Sequence, residues 1–310
     1  MPGADQKPGE FDLISHYLSD LDHGPAVALG VGDDAALIHL EEGEALAVST
    51  DAAVEGRHFP EGASAHRIAY RSVAAAASDL AAMGARPLGF TLSLSVPEAD
   101  EDWFFDLRGG LAEACDTFEM PLVGGDLTRG PLSLAVTVFG GLLESQALKR
   151  SAAKPGDRVC VDRTLGDSAA GLALVTGELV LEGEGANGLE DRFWRPTPAL
   201  ALGRSLVGVA NAAIDLSDGL LADLEHIAEA SDVAIHVDTE LLPLSDALES
   251  AVDRDQALAL ALGGGEDFAL CFTLPVDAEL PEGCFIIGEV RPGSGVHCDA
   301  RPTETGYRHF

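Results

Sequence analysis

The sequence predicts an α/β protein of two domains, and three observations predict it. At 310 residues the chain exceeds the usual size of a single hydrophobic core. Its apolar residues alternate between short runs rich in β-formers and longer helical runs, the pattern of α/β folds. Around Lys154-Pro155-Gly156-Asp157 the composition becomes turn-like and a fresh strand and helix series begins, which marks a boundary between residues 1–148 and 149–310.

In the first domain, 45–50, 88–96 and 132–143 read as strands, because they are rich in β-formers or alternate in period two. Residues 66–83 form an Ala-rich helix that stops at Gly84, with Pro87 just beyond, and 100–118 form the next helix. In the second domain a strand at 158–162 precedes helices at 167–176 and 198–211. A strand at 212–216 leads through Ser217-Asp218-Gly219 into a helix over 220–230, and 268–273 and 284–287 are later strands. The Gly- and Glu-rich stretch 178–190 is expected to be an exposed loop. Its segment from Gly183 to Gly188 matches G-x-G-x-x-G but follows no strand, so it is set aside as a nucleotide fingerprint. No G-x-x-x-x-G-K-[ST] occurs, which excludes a P-loop.

Composition narrows the function classes. No stretch approaches the roughly 20 apolar residues of a membrane span, and the N-terminus lacks a basic start followed by an apolar run, so a cytoplasmic protein is expected. Five widely spaced cysteines without a C-x-x-C pair argue against a disulfide framework or a zinc site. The 52 acidic against 19 basic residues leave a formal net charge of −33, and Lys7, Lys149 and Lys154 are the only lysines. Such a field repels nucleic acid and anionic membrane, excluding both as partners, and repels ATP unless cations intervene. Most of these carboxylates are expected to form a solvated surface, as in a cell interior of high salt where screening weakens self-repulsion.

The remaining aspartates fall at predicted strand ends and glycine turns. Gly30-Val31-Gly32-Asp33-Asp34 sets two carboxylates behind flexible glycines. Ser49-Thr50-Asp51 is expected at the end of a strand, where it groups hard oxygen ligands suited to Mg²⁺. Asp79 falls near the C-terminus of an apolar helix, where the macrodipole disfavours an anion and a bound cation would offset it. Gly124-Gly125-Asp126 and Asp215-Leu216-Ser217-Asp218-Gly219 repeat the theme as expected turns, and Ser217 and Asp218 are expected also to cap the following helix. Each motif alone fits an ordinary turn or cap. Five together fit dispersed carboxylates serving Mg²⁺ and a nucleotide, as a site without a P-loop lysine requires.

The motifs GVGDDAALI, STDAAVEGRHF, ASDLAAMGARP, GGDLTRGP, KRSAAKPGD, AIDLSDGL and GGGEDFAL, in this order, closely resemble the thiamine-monophosphate kinase family over essentially the whole chain. Single pieces recur in the wider superfamily of aminoimidazole-ribonucleotide synthetase, selenophosphate synthetase and the hydrogenase-maturation dehydratase. No cysteine precedes Cys115 and the chain ends Arg308-His309-Phe310, which disfavours the last two. Aminoimidazole-ribonucleotide synthetase is the nearest enzymatic alternative, and a nucleotide- and Mg²⁺-binding sensor without turnover is the alternative of another class.

The resemblance implies an aminoimidazole-ribonucleotide-synthetase-like fold. Its N-terminal α/β domain would bind Mg-ATP and pair its sheet across a homodimer, and its C-terminal α/β domain would complete the nucleotide and substrate site. It implies several Mg²⁺ ions at Asp34, Ser49, Thr50, Asp51, Asp79, Asp126, Asp215 and Asp218, ATP contacts at Gly125, Asp126, Arg150 and Ser217, and thiamine monophosphate contacts at His58, Glu266 and Tyr307. Asp51, Asp79 and Asp126 would hold the metals that bridge donor and acceptor. Phe268 stands where the family often has Tyr, and Ala35 where some members carry Cys. The acceptor phosphate has a second pKa of roughly 6 and needs no general base, which fits a chain without an evident Ser/His/Asp or Cys/His arrangement.

Overall fold

The computed structural model describes residues 9–300. They divide into two compact units, one made of the residues up to Ala77 together with Arg86–Leu142, the other of Ser78–Ala85 and the residues from Leu143 onward.

The first unit begins with a short helix α1 (Glu10–Leu13), a π-helical turn (Ile14–Leu18) and a ribbon of β1 (Val27–Leu29) with β2 (Leu37–Ile38). β3 (Glu44–Val54), α2 (Ala65–Met83), β4 (Arg86–Val96), α3 (Glu101–Phe118), β5 (Leu122–Arg129) and β6 (Ser133–Leu143) follow. The sheet order is β3-β6-β4-β5, with β4 antiparallel to β6 and parallel to β5. α2 forms because alanine is the strongest helix former, and it stops where Gly84 takes φ +68° and its N–H returns to the Ala81 carbonyl at 3.0 Å. α3 is capped by the Asp100 side chain, which accepts from the Trp103 N–H at 2.8 Å. Along β6 the period of two buries Leu134, Val136 and Val138 and leaves Ala135, Thr137 and Phe139 half-buried. On β3, Leu46, Val48 and Thr50 face solvent, so this strand presents apolar residues on an open face.

The second unit contains β7 (Arg158–Val161), α4 (Asp167–Thr176), α5 (Glu184–Trp194), α6 (Leu200–Ser205), β8 (Ala212–Leu216) and α7 (Leu220–Ser231). After these come β9 (Ala234–Val237), α8 (Asp246–Ala251), α9 (Arg254–Gly263), β10 (Ala269–Leu274), β11 (Phe285–Arg291) and β12 (Gly295–Cys298). The six strands run β12-β9-β11-β7-β10-β8, antiparallel except for β9 with β12. One apolar cluster gathers Ile214, Leu216, Leu224 and Ile235, and another Ala213, Leu270 and Phe272. Alternate residues of β8 and β10 thus bury into different clusters, which is why β8 reads as an unbroken buried run.

Three sequence expectations change. The stretch 178–190 is not all loop, because α5 begins at Glu184 and buries Ala186, Leu189, Phe193 and Trp194, a helical stripe that the surrounding Gly and Glu conceal. The helix expected over 198–211 shortens to α6, since Gly208 at φ +76° turns the chain. β5 is a strand where a turn was expected. β1, β2, β9, β12, α1, α8 and α9 have no counterpart among the sequence expectations, and all but the ten-residue α9 are short.

Candidate active site

In the second unit the acidic residues come together. Asp215, near the end of β8, is buried and accepts a hydrogen bond from the hydroxyl of Ser78, in the last turns of α2, which belong to this unit. Burial, then the neighbouring charge of Asp79, pushes its carboxyl up to about 6, against the pull of Ser78 and Arg150. Asp223, also buried, is pushed up to about 7 by burial and by the charges of Asp215 and Asp218. Its carboxylate accepts from the Asp218 and Gly219 N–H groups at 3.2 and 3.1 Å. These bonds overturn the expected capping by Ser217 and Asp218, since the cap of α7 is Gly219 and the oxygen arrives from within the helix.

The glycines here serve contact between two loops. The Glu266 N–H donates to the Ser217 carbonyl at 2.8 Å and the Phe268 N–H to the Leu216 carbonyl at 2.8 Å. Gly265, at φ +69°, lies so close that a Cβ would sit 2.8 Å from the Ser217 oxygen. The segment with Asp215, Ser217 and Asp218 is therefore laced to the segment with Glu266. Arg150 lies in a 3₁₀ turn (Arg150–Ala152), its carbonyl accepting from the Ser231 hydroxyl at 2.7 Å.

In the first unit Asp34, Gly125 and Asp126 line one cavity of about 890 Å³, whose other walls include Leu46, Leu92 and Phe139. The Asp34 N–H donates to the Asp33 carboxylate at 2.8 Å. Ser49, Thr50 and Asp51 do not end a strand, as expected, but lie inside β3, which continues to Val54. There Thr50 Oγ1 is 2.9 Å from Thr137 Oγ1, and the Asp51 carboxylate accepts from the Ala52 N–H at 2.8 Å. Gly124-Gly125-Asp126 likewise lies inside β5. Gly125 is required by its neighbour strand, for at φ +152° a Cβ would meet the Leu92 carbonyl oxygen at 1.9 Å. His58 Nδ1 accepts from the Val54 N–H at 3.0 Å, which assigns the proton of the neutral ring to Nε2. Tyr307 lies outside the described residues.

Sequence reasoning missed Ser78, Asp223 and Asp267. Ser78 adjoins Asp79, Asp223 falls in the first turns of α7, and Asp267 adjoins Glu266, so their signal was proximity to residues already chosen. The donor set suits Mg²⁺. Buried carboxylates raised by a neighbouring charge, as Asp215 is by Asp79 and Asp223 by Asp215, would be relieved by a cation, and Mg²⁺ takes only one or two carboxylates with water and phosphate. Among the described residues there is no group of three or more His, Cys, Asp or Glu placed to hold a metal by themselves. None of the cysteines forms a disulfide, and burial pushes Cys160 up to about 12 and Cys115 up to about 11, which makes these two inert packing thiols.

Residues 32–142 match the family described as AIR synthase related protein, N-terminal domain. The thiamine-monophosphate kinase of Escherichia coli (strain K12) is 47% identical over 86% of this chain and 83% of its own. The crystal structure of thiamine-monophosphate kinase from Stenotrophomonas maltophilia K279a has a TM-score of 0.84 and 44% identity, covering 90% of this chain and 93% of its own. The structure of AaThiL complexed with AMPPCP and TMP covers 99% of this chain and 100% of its own, with a TM-score of 0.81 and 31% identity.

Proposed function

The chain belongs to the thiamine-monophosphate kinase family and is an ATP-dependent kinase of thiamine monophosphate, and from that premise we propose how its residues divide the work. Asp34, Ser49, Thr50, Asp51, Asp79, Asp126, Asp215 and Asp218 hold several Mg²⁺ ions, with Asp51, Asp79 and Asp126 at the reacting phosphates. Gly125, Asp126, Arg150 and Ser217 bind ATP, while His58, Glu266 and Tyr307 orient the acceptor. Residues 1–148 form the Mg-ATP and dimerisation part, and 149–310 complete the site. The observation that carries this reading is the buried Asp215, held by the Ser78 hydroxyl beside Asp79, two carboxylates whose charges oppose each other and which a cation would relieve.

The chemistry follows from the two substrates. Transfer of the γ-phosphoryl of ATP to the phosphate of thiamine monophosphate, giving thiamine diphosphate and ADP, brings two anionic groups together. Bound Mg²⁺ supplies the charge neutralisation. The protein's side chains position, and the acceptor oxygen, largely dianionic above its second pKa of roughly 6, attacks without a general base. The open apolar face with Leu46 and Val48 on β3, an edge strand, supports a homodimer. The enzyme works in the cytoplasm on this reading, and no helix among the described residues is long and apolar enough to cross a membrane.

The test is ADP release from Mg-ATP with thiamine monophosphate or with thiamine. Release is expected only with the monophosphate. The acidic limb of kcat/KM should fall near roughly pH 6 and persist in His58→Asn, since it belongs to the acceptor. Efficient phosphorylation of thiamine, or binding without turnover, overturns the acceptor assignment.

A further inference from the structure

Four non-glycine residues among those described have a clearly left-handed backbone: Glu119, Asp232, Glu266 and Phe268. Glu119 and Asp232 end α3 and α7, where such a conformation is routine. Glu266 (φ 64°) and Phe268 (φ 44°) end no helix and flank a single residue, Asp267. Such backbone persists only where its surroundings over-determine it. Three sets of contacts do so here. The Glu266 and Phe268 N–H groups are tied to the Ser217 and Leu216 carbonyls, each at 2.8 Å, and the Asp267 carboxylate accepts from the Gly166 N–H at 2.9 Å and the Ser168 N–H at 3.4 Å. Those two donors open α4, whose own cap, Gly166, has no side chain to satisfy them.

We propose that Asp267 is a positioning residue: by anchoring the left-handed Glu266-Asp267-Phe268 segment to the start of α4, it sets where Glu266 meets the acceptor. The inference rests on the reading of Glu266 as an acceptor contact. Without the anchor the flanking residues relax toward ordinary backbone, and Glu266 loses its register while Asp218 and Gly219 keep their Asp223 contacts and β8 keeps its pairing with β10. Asparagine keeps an oxygen for the shorter of the two bonds.

The experiment is a double-mutant cycle on the full-length enzyme, read as KM and kcat for each substrate at saturating Mg²⁺. Asp267→Ala should raise KM for thiamine monophosphate at least about tenfold, leave KM for ATP within about twofold, and be largely rescued in Asp267→Asn. Glu266→Gln should raise the same KM, and adding Asp267→Ala to it should change that KM by less than about twofold, because the second residue acts through the first. Multiplicative effects, or an Asp267→Ala enzyme with altered melting temperature but unaltered KM, overturn the inference while leaving Glu266 in place. A Glu266→Gln enzyme with normal KM removes the acceptor contact itself and the inference with it. If Asp267→Ala does not fold, Asp267→Ser in the same cycle carries the same expectations.

Discussion

The two units treat their carboxylates in opposite ways. In the first, Asp34 and Asp126 stand exposed along a cavity, and Asp51 is half-buried on a strand. In the second, Asp215 and Asp223 are buried, and their ordinary ionisation is displaced toward neutral pH by burial and by neighbouring carboxylates, Asp79 beside Asp215 and Asp215 beside Asp223. Exposed carboxylates keep water around a metal and cost the fold little. Buried ones store an electrostatic penalty that a cation or a proton must relieve. With the proposed Mg²⁺ ions, the first arrangement would suit exchange of hydrated ions, while the second would make metal occupancy and stability depend on each other.

The largest expected effect tests that contrast. Asp79→Asn and Asp215→Asn should each lower kcat by at least about 10²-fold, the loss anticipated for a metal at the reacting phosphates. Asp215→Asn should at the same time raise the melting temperature in EDTA, because it removes a buried charge opposed by Asp79. Near-normal turnover at limiting Mg²⁺ would break the comparison, and an unchanged melting temperature would confine it to catalysis.

Next in size is a backbone effect in the first unit. Gly125→Ala should lower the melting temperature by about 10 °C, since its Cβ would run into the Leu92 carbonyl at 1.9 Å, whereas Gly124→Ala, with Thr91 at 3.8 Å, should be nearly silent. Equal tolerance of both would show that the glycine pair serves a ligand's approach rather than strand packing.

A smaller effect concerns pH. Burial pushes the Asp267 carboxyl from 3.8 up to about 7, so the native state binds this proton more tightly than the unfolded state does. Stability from this group is full at low pH and is lost as pH rises from about 4 through 7. Asp267→Asn should therefore melt a few degrees above the wild type at pH 8 in EDTA and level with it near pH 4. Parallel profiles in thermal melts would assign the pH dependence elsewhere. The smallest effect is expected for Asp33→Asn, which keeps the oxygen that accepts from Asp34 and should change kcat/KM by less than about threefold. A larger loss would add Asp33 to the metal ligands.

What was legible in the sequence had a local cause. The alanines of α2 and Gly84 after them specify a helix and its end without reference to any distant residue, and the period of two along β4 and β6 does the same for strands. The motif order identified the family because its motifs are short contiguous runs. α5 escaped notice because four buried residues among glycines and glutamates look like a helix only once a partner surface exists for them.

The sequence by itself determined the family through its motifs, that the chain builds α/β series, and that its charge of −33 makes cations favourable around any nucleotide. Only the tertiary structure decided that Gly125 is fixed by the Leu92 carbonyl, that Asp223 rather than Ser217 or Asp218 satisfies the start of α7, and that Asp267 reaches across to α4. The reason is the same in each case: burial, hydrogen-bond pairing and close approach depend on residues far apart in the chain, here 101 positions for Asp267 and Gly166, and no local pattern encodes a distance to a partner that distant.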